Sequence, residues 1–268
     1  MATALIGGLL DSGIPNSLIK VVDPDPHAGQ RLKTTFGIEV SDHLTQAISE
    51  VDLIVLAVKP QTIPEVLATL KPYLTAGTAR PVILSIASGV GLDHFEQVLG
   101  TRPIIRAMPN TPALVGQGVT AMVGNDALTD EAKAWASDLM GRVGQCLWLS
   151  QEEHMDTVTA LSGSGPAYFF ALAEHMVAAG TAQGLERSVA EKLVYQTALG
   201  AGTMLSQSDE GAKVLRERVT SPGGTTQAAL SVFSDHALAD TVRDAVAAAR
   251  QRSQELGQSH REDSTKEH

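Results

Sequence analysis

The chain has 268 residues, of which 43% are hydrophobic and 19% charged, and its formal net charge is −10. This composition excludes an intrinsically disordered chain and is typical of a globular protein with two domains or one large one. Because the charge is negative, nothing supplies the basic surface that binding to nucleic acid needs, so we expect no nucleic-acid partner.

The only cysteine, Cys146, lies in an apolar run. One cysteine cannot form an internal disulfide, which fits a reducing cytoplasm, and we interpret Cys146 as a structural thiol rather than a reactive one. The apolar residues 1–10 lack the basic side chains that open a signal peptide, and no uncharged apolar run approaches the roughly 18 residues of a membrane-spanning helix. We therefore expect a cytoplasmic protein with no membrane partner.

Short β-rich runs alternate with helical patterns through residues 1–150. The run Leu53–Val58 is apolar throughout, as expected of a strand that is buried on both faces. This alternation predicts a doubly wound α/β domain, Rossmann-like, with a parallel sheet. Strands are predicted at 18–22, 53–58, 82–87, 104–108, 119–123 and 146–149, and helices at 2–11, 27–36, 42–50, 62–70, 92–99 and 129–140.

After residue 150 the β-rich runs stop, and residues 151–257 are rich in Ala, Gly and Leu at helical spacing. We predict an all-helical second domain there. Its small residues allow close helix contact, which suits a dimer and tight packing within one chain equally well. The tail 258–268 is polar and carries both signs of charge, and we predict that it is disordered.

The beginning of the sequence lacks an expected feature. A nucleotide-binding α/β domain normally opens with a strand and a Gly-rich turn that binds the pyrophosphate. Here the pattern opens in a helix, and we interpret Gly7 and Gly8 as packing positions within that helix. We therefore expect that the first strand and the cofactor loop are absent, either because an internal methionine is taken as the start or because the chain is shortened.

Two predicted strands end in segments that suit a cofactor, because ligands of open α/β sheets bind at the carboxyl ends of the strands. For the segment Ala57–Pro60, the alternative is a solvated lysine, Lys59, in an ordinary strand-to-helix turn. Two prolines also frame polar side chains in 106–112, where the alternative is an ordered turn in which Asn110 bonds its own backbone. The candidate cofactor contacts are Ala57, Val58, Lys59 and Pro60, then Ile86, Ala87 and Ser88, and Asn110.

Asp23 follows the first predicted strand. An acidic residue there can accept a hydrogen bond from the ribose hydroxyl of NAD and would repel the 2′-phosphate of NADP. This mildly favours NAD. Asp23 could equally cap the Asp-Pro-Asp-Pro turn, and the nearby Arg31 complicates the charge argument.

Two segments of the second domain precede apolar helices and could bind a carboxylate with amides and hydroxyls. Turn and cap chemistry explains either segment alone, but the occurrence of two beside a nucleotide fold favours a functional role. The first is Ser162-Gly163-Ser164-Gly165-Pro166, and the second is Thr220-Ser221-Pro222-Gly223-Gly224-Thr225-Thr226.

Together these segments resemble pyrroline-5-carboxylate reductase, in order over about residues 1–257. The resemblance implies a Rossmann domain and a helical domain that interlocks with its twin in a homodimer, sometimes within a larger ring. It implies hydride transfer from NADP or NAD, in reduced form, to 1-pyrroline-5-carboxylate. One departure is His43-Leu44, where the family often has an asparagine that meets the adenosine ribose.

By this resemblance, Ala57–Pro60 and Ile86–Ser88 would contact the cofactor. Thr225 and Thr226 would hold the substrate carboxylate, and the Thr226 hydroxyl could donate or relay the proton to nitrogen. Glu152 and the turn Ser162–Pro166 would lie near the substrate ring.

Two other functions stay open at this point. A related hydroxyacid dehydrogenase should place a lysine on a helix, and the segment 166–171 has none. A non-catalytic dimeric paralogue could have lost cofactor binding, although the two polar segments 106–112 and 220–226 are intact. The histidines lack the spacing of metal ligands, so we expect no metal site.

Overall fold

The computed structural model describes residues 1–48, 51–76 and 80–266. It divides into two compact units, Met1–Ser164 with Ala249–His268, and Gly165–Ala248. The predicted boundary at residue 150 therefore differs from the boundary in the structure. Residues 151–164 and the end of the last helix group with the first unit because they carry side chains that hydrogen-bond within it, such as Glu152 to Arg106.

The strands of the first unit form two sheets in the described residues. One is the parallel pair β1 and β2, and the other has the order β3-β4-β5-β6-β7. Strand β2 was not predicted, because its three residues include one apolar side chain, Val40, whereas β1, which is as short, ends an apolar run. The strands are β1 Lys20–Val22, β2 Glu39–Ser41, β3 Leu53–Leu56, β4 Val82–Ser85, β5 Ile104–Met108, β6 Gly118–Gly124 and β7 Gly144–Trp148.

The larger sheet is mixed rather than wholly parallel. Strand β6 runs antiparallel to β5, while β3, β4 and β5 are parallel to one another and β7 is parallel to β6. The prediction of a parallel sheet is wrong at this edge. The physical reason is the connection 109–117, which holds a short 3₁₀ helix, Thr111–Val115, and is too short for the crossover that a parallel neighbour requires.

Helices cover both faces of the larger sheet, as the doubly wound prediction requires. On one face, Ile83 of β4 packs with side chains of α4 and α5, among them Leu67 and Phe95. On the other face, Leu84 packs with side chains of α1 and α6. The helices of this unit are α1 Ala2–Asp11, α2 Pro26–Phe36, α3 Leu44–Ala47, α4 Ile63–Ala76, α5 Leu92–Leu99, α6 Asp130–Gly141 and α7 Met155–Val158.

The predicted packing role of Gly7 and Gly8 in α1 is confirmed. A Cβ atom at Gly7 would lie 3.3 Å from the Phe36 ring, and one at Gly8 would overlap the side chain of Val143. Helix α3 is shorter than the predicted 42–50, and residues 49 and 50 of that prediction lie outside the described residues.

The second unit is helical, as predicted, with α8 and α9 packed against each other. The last helix, α12, extends to Lys266 and so continues through most of the segment that was predicted to be disordered; residues 267 and 268 lie outside the description. Gln, Glu, Arg and Lys recur in this segment and all favour helix. No helix within the described ranges is both long and apolar enough to cross a membrane. The remaining helices are α8 Gly165–Ala182, α9 Arg187–Gln207, α10 Ala212–Arg218, α11 Thr225–Asp235 and α12 Leu238–Lys266.

Candidate functional site

Parallel pairing brings two of the predicted cofactor segments together. Leu56 is in register with Ser85, so Ala57–Pro60 and Ile86–Ser88 leave the same edge of the sheet side by side. The amide of Ile86 donates to the Leu56 carbonyl at 3.1 Å, which extends the pairing by one residue beyond the strands. The buried hydroxyl of Ser85 accepts from the Ala87 amide at 3.2 Å and so fixes the start of the second loop.

The residues at this edge are small or reach the surface. Val58 and Lys59 are exposed, Ser88 is half-buried, and the small Ala87 is buried. The Lys59 carbonyl accepts from the Thr62 amide at 2.9 Å, which closes a 3₁₀ turn that begins at Pro60. Small and partly exposed residues after two parallel strands fit the close approach of a dinucleotide.

Glu152 forms hydrogen bonds at the end of the loop 86–91, which follows β4. Its Oε1 accepts from Arg106 Nη1 at 2.7 Å and from the backbone amide of Leu92 at 3.0 Å. Leu92 is the first residue of α5, whose N-cap Gly91 has no side chain to satisfy that amide. Glu152 therefore caps α5 and positions the loop 86–91, in addition to any contact with substrate.

Asn110 has a structural role that the sequence argument identified only in general form. Asn110 is 7% exposed. Its Oδ1 accepts from the Val119 amide at 2.9 Å, and its Nδ2 donates to the Ser162 carbonyl at 3.1 Å. The side chain bonds distant backbone groups rather than its own. Both of its polar atoms are thus engaged, and contact between Asn110 and a cofactor stays a prediction.

The π-helical segment Thr159–Gly163, followed by Ser164, links α7 to α8. The Ser162 hydroxyl donates to the Val158 carbonyl at 3.0 Å, and the Ser164 amide donates to the Thr159 carbonyl at 2.8 Å. A Cβ atom at Gly163 would lie 2.6 Å from the Met108 methyl group, so glycine allows this turn to lie against the end of β5. Gly165 follows as the first residue of α8.

Asp23 is half-buried at the end of β1, and its Oδ1 accepts from the Asp25 amide at 2.9 Å. Asp25 in turn caps α2 through the His27 amide. The alternative reading of Asp23 as a turn residue is therefore confirmed, and its role in choosing between NAD and NADP stays a prediction.

Thr225 and Thr226 begin α11 in the second unit. The N-cap, Gly224, has no side chain to cap the helix, so the first amides of α11 have no side-chain acceptor from that position. The turn before it is held by Gln227, whose Oε1 accepts from the Gly223 amide at 2.6 Å. Thr225 is exposed and Thr226 is half-buried, and they are the first two residues of a helix whose N-terminus has no side-chain cap.

Curated proteins similar to the chain include pyrroline-5-carboxylate reductases from bacteria and plants. The family description "Pyrroline-5-carboxylate reductase dimerisation" matches residues 152–256, and "NADP oxidoreductase coenzyme F420-dependent" matches residues 1–89. The pyrroline-5-carboxylate reductase of Pseudomonas aeruginosa is 42% identical over 259 residues, which cover 96% of this chain and 94% of that protein. The chain belongs to the pyrroline-5-carboxylate reductase family.

Further members of the reductase family show the same extent of similarity. The Arabidopsis thaliana reductase is 36% identical over 97% of this chain and 93% of that protein. The solved structure of the Coxiella burnetii reductase matches with a TM-score of 0.89 at 35% identity, over 95% of this chain and 94% of that one. The Plasmodium falciparum reductase, solved with NADP bound, matches with a TM-score of 0.83 at 30% identity, over 95% and 94%.

These comparisons confirm the family and the fold, and they support a reductase over the two alternatives. The chain is an NAD(P)-dependent oxidoreductase with a Rossmann-like domain, and its dimerisation domain supports a homodimer that acts on a small molecule.

The structure also shows contacts of the reductase that sequence reasoning missed. Arg106 forms an ion pair with Glu152, and the Gln227 side chain accepts a hydrogen bond from the Gly223 amide. Neither Arg106 nor Gln227 was predicted as a site residue. A strand arginine followed by a distant glutamate carries no spacing signal, whereas Gln227 follows Gly223 by four residues and could have been identified as a turn-stabilising side chain.

Within the described part of the chain, His, Cys, Asp and Glu do not gather in groups of three or more that could hold a metal ion. Burial raises the pKa of the Cys146 thiol, which fits a structural residue.

Proposed function

We propose that the chain reduces the C=N bond of 1-pyrroline-5-carboxylate to L-proline, with NADPH or NADH as the hydride donor. The observation that carries this proposal is the similarity to curated reductases over 96% of the chain, which includes the strand-end segments and the start of α11. The nicotinamide, when bound, supplies the hydride to the carbon of the C=N bond, and the nitrogen takes a proton.

On the cofactor side, we assign contact to Ala57–Pro60 and Ile86–Ser88. The paired strand ends support this, because they are held in register and both segments leave the same edge of the sheet, where Val58 and Lys59 are exposed. We assign Glu152 to positioning: its carboxylate fixes the end of the loop that follows Ile86–Ser88. Asp23 could accept from the ribose of NADH, and the ratio of kcat/KM for NADH and NADPH tests this.

On the substrate side, we assign the carboxylate to the start of α11, with Thr225 and Thr226. A carboxylate is stabilised there by the helix dipole and by backbone amides that Gly224 leaves uncapped. Ser162, Gly163, Ser164 and Gly165 would contact the ring. The Thr226 hydroxyl would donate or relay the proton to the ring nitrogen.

The assembly and location are proposed on sequence grounds. We propose a homodimer as the working unit, with a larger ring of dimers as its further assembly. A net charge of −10 disfavours anionic partners such as nucleic acid and membrane surfaces. A single cysteine supports a cytoplasmic location.

The test is the oxidation of NADPH and NADH by the purified chain in the presence of 1-pyrroline-5-carboxylate. We expect turnover with at least one cofactor, and Thr226→Ala should lower kcat about 100-fold if its hydroxyl acts in proton transfer. Thr226→Ser keeps the hydroxyl and should retain most of the activity. A wild-type rate in Thr226→Ala would remove Thr226 from the mechanism, and a correctly folded wild-type chain without turnover would favour the non-catalytic paralogue.

A further inference from the structure

Two glycines bring the last helix into backbone contact with the loop after β4. Gly89 lies in this loop at φ 81°, and a Cβ atom there would be 3.2 Å from the Gly257 nitrogen. A Cβ atom at Gly257 would be 3.1 Å from the Gly89 oxygen and 3.7 Å from its Cα. Both partners are backbone atoms, so no flexible side chain can move aside to accept a larger residue.

A second contact fixes the same face of α12. Ser253 precedes Gly257 by one helical turn and is 3% exposed, and its hydroxyl donates to Asp156 Oδ1 at 2.6 Å. Residues four apart lie on one face of a helix, so Ser253 and Gly257 lie on the same face of α12, which packs against the rest of the first unit. The position of Gly257 against Gly89 is therefore set by a hydrogen bond as well as by packing.

The loop between β4 and α5 is thus held at three points. Ser85 binds the Ala87 amide at its start, Gly257 contacts Gly89 in its middle, and Glu152 binds the Leu92 amide at its end. The proposed cofactor contacts Ile86–Ser88 lie within three residues of Gly89. Any displacement of Gly89 would move the peptide groups of Ala87 and Ser88, because the other two points prevent the loop from shifting as a whole.

We infer that Gly257 is a positioning residue for the nicotinamide cofactor, since the absence of a side chain lets α12 hold the loop 86–91 in its binding conformation. This inference rests on the proposed cofactor contact at Ile86–Ser88. It assigns the C-terminal part of α12 to cofactor affinity, a role that lies outside dimerisation and outside contact with the substrate.

Gly257→Ala is the decisive variant. Alanine is the better helix former, so a loss of cofactor affinity in this variant cannot result from a weakened helix. We expect the Kd for NADPH, measured by calorimetry, to rise about five-fold to ten-fold, because the new Cβ would displace the Gly89 backbone and so weaken the proposed contact of Ala87 and Ser88 with the cofactor. In steady-state kinetics the KM for the cofactor should rise similarly, while kcat and the KM for 1-pyrroline-5-carboxylate stay within two-fold of wild type.

The matched control is Gly141→Ala, at the end of α6 in the same unit. A Cβ atom at Gly141 would meet no other atom within 4 Å, so cofactor affinity should not change. Ser253→Ala provides a second route to the same effect: it removes the hydrogen bond to Asp156 without adding volume and should also raise the Kd, by a smaller factor.

Ser88→Val separates failure of this inference from failure of the proposed function. If Ser88→Val raises the Kd while Gly257→Ala and Ser253→Ala do not, the cofactor site stands and the inference is wrong. If Ser88→Val also leaves the Kd unchanged, the proposed cofactor contact itself is wrong. A Gly257→Ala protein that loses kcat and both affinities together, or that does not fold, would show a general structural role and would also overturn the inference.

Discussion

Gln227 shows how one side chain can set the affinity of the proposed substrate site. Its amide oxygen accepts from Gly223, which adopts φ 70° in the turn before α11. Without this acceptor the turn would be free to move, and the amides at the start of α11 would lose their alignment. Gln227 does not itself need to contact the substrate for its loss to matter.

Two substitutions separate the effect of the hydrogen bond at position 227 from the effect of a charge placed there. Gln227→Leu keeps the volume but removes the acceptor, and we expect the KM for 1-pyrroline-5-carboxylate to rise about five-fold to ten-fold, which corresponds to about 1 kcal/mol for one hydrogen bond. Gln227→Glu keeps the acceptor but adds a negative charge where the carboxylate is proposed to bind. Its KM should also rise, and the increase should shrink as salt is added.

The cofactor serves as the internal control for both Gln227 variants, since its KM should not change. An unchanged substrate KM in Gln227→Leu would show that the turn keeps its shape without the side chain. A salt-independent effect in Gln227→Glu would place the substrate carboxylate elsewhere.

At the level of elements, Arg102 connects the ends of two helices that cover one face of the sheet. Its Nε donates to the carbonyl of Leu99, the last residue of α5, at 3.0 Å, and its Nη2 donates to the carbonyl of Leu74 in α4 at 3.2 Å. A cation at two helix C-termini is favoured by both dipoles. Burial, with a smaller contribution from Arg80, lowers the pKa of the Arg102 guanidinium, which nevertheless stays charged at neutral pH.

Arg102→Ala should lower the free energy of unfolding by about 2 kcal/mol, because two charge-assisted hydrogen bonds are lost. Arg102→Lys keeps the charge but cannot bind both carbonyls with a planar fork, so its loss should be about half as large. Urea unfolding at one fixed protein concentration measures both variants, since dissociation of a dimer contributes to the apparent stability. Equal midpoints for wild type and Arg102→Ala would show that water replaces these bonds without cost.

The elements that could be predicted from the sequence are those along which apolar residues recur several times at the spacing of a strand or a helix. Six of the seven strands and the helices around the larger sheet were located, because apolar residues recur along them at the expected spacing. Strand β2, Glu39–Ser41, has one apolar residue and no such repetition. The direction of β6 depends on the length of the loop before it rather than on the composition of the strand.

The proposed site was predictable to a similar degree. The strand-end segments follow from the rule that parallel strands place their carboxyl ends at one edge. The contacts that hold them, Glu152 with Leu92 and Gly257 with Gly89, join residues far apart in the chain. No local pattern encodes such pairs, because they depend on the tertiary fold.

For the whole molecule, the second unit leaves many large apolar side chains exposed in a single chain. Phe170 of α8 is 68% exposed and Leu199 of α9 is 63% exposed. Exposed apolar surface of this extent is typical of an interface between protein chains. Because residues 152–256 match a dimerisation domain, we assign this surface to the homodimer. The side chains with the largest exposure in α8, α9 and α11 are Phe169, Phe170, Leu193, Tyr195, Leu199, Met204 and Val232.

Leu199→Glu tests whether α9 contributes to that interface. In a two-fold symmetric dimer each substitution enters the interface twice, and each buried, unpaired carboxylate costs several kcal/mol, so the dissociation constant should rise by at least about 1,000-fold. Light scattering after size-exclusion chromatography should then give half the wild-type mass at low micromolar concentration.

Leu18→Glu is the control for a new surface charge, since Leu18 is 73% exposed in the first unit and should leave the mass unchanged. Circular dichroism distinguishes a folded monomer from an unfolded chain. Leu199→Gln places an uncharged polar side chain in the interface, so the dimer should be weakened less and should dissociate on dilution. A folded Leu199→Glu protein that keeps the wild-type mass would exclude this face of α9 from the interface. The apolar side chains of α8 and α11 would then have to form the dimer without it.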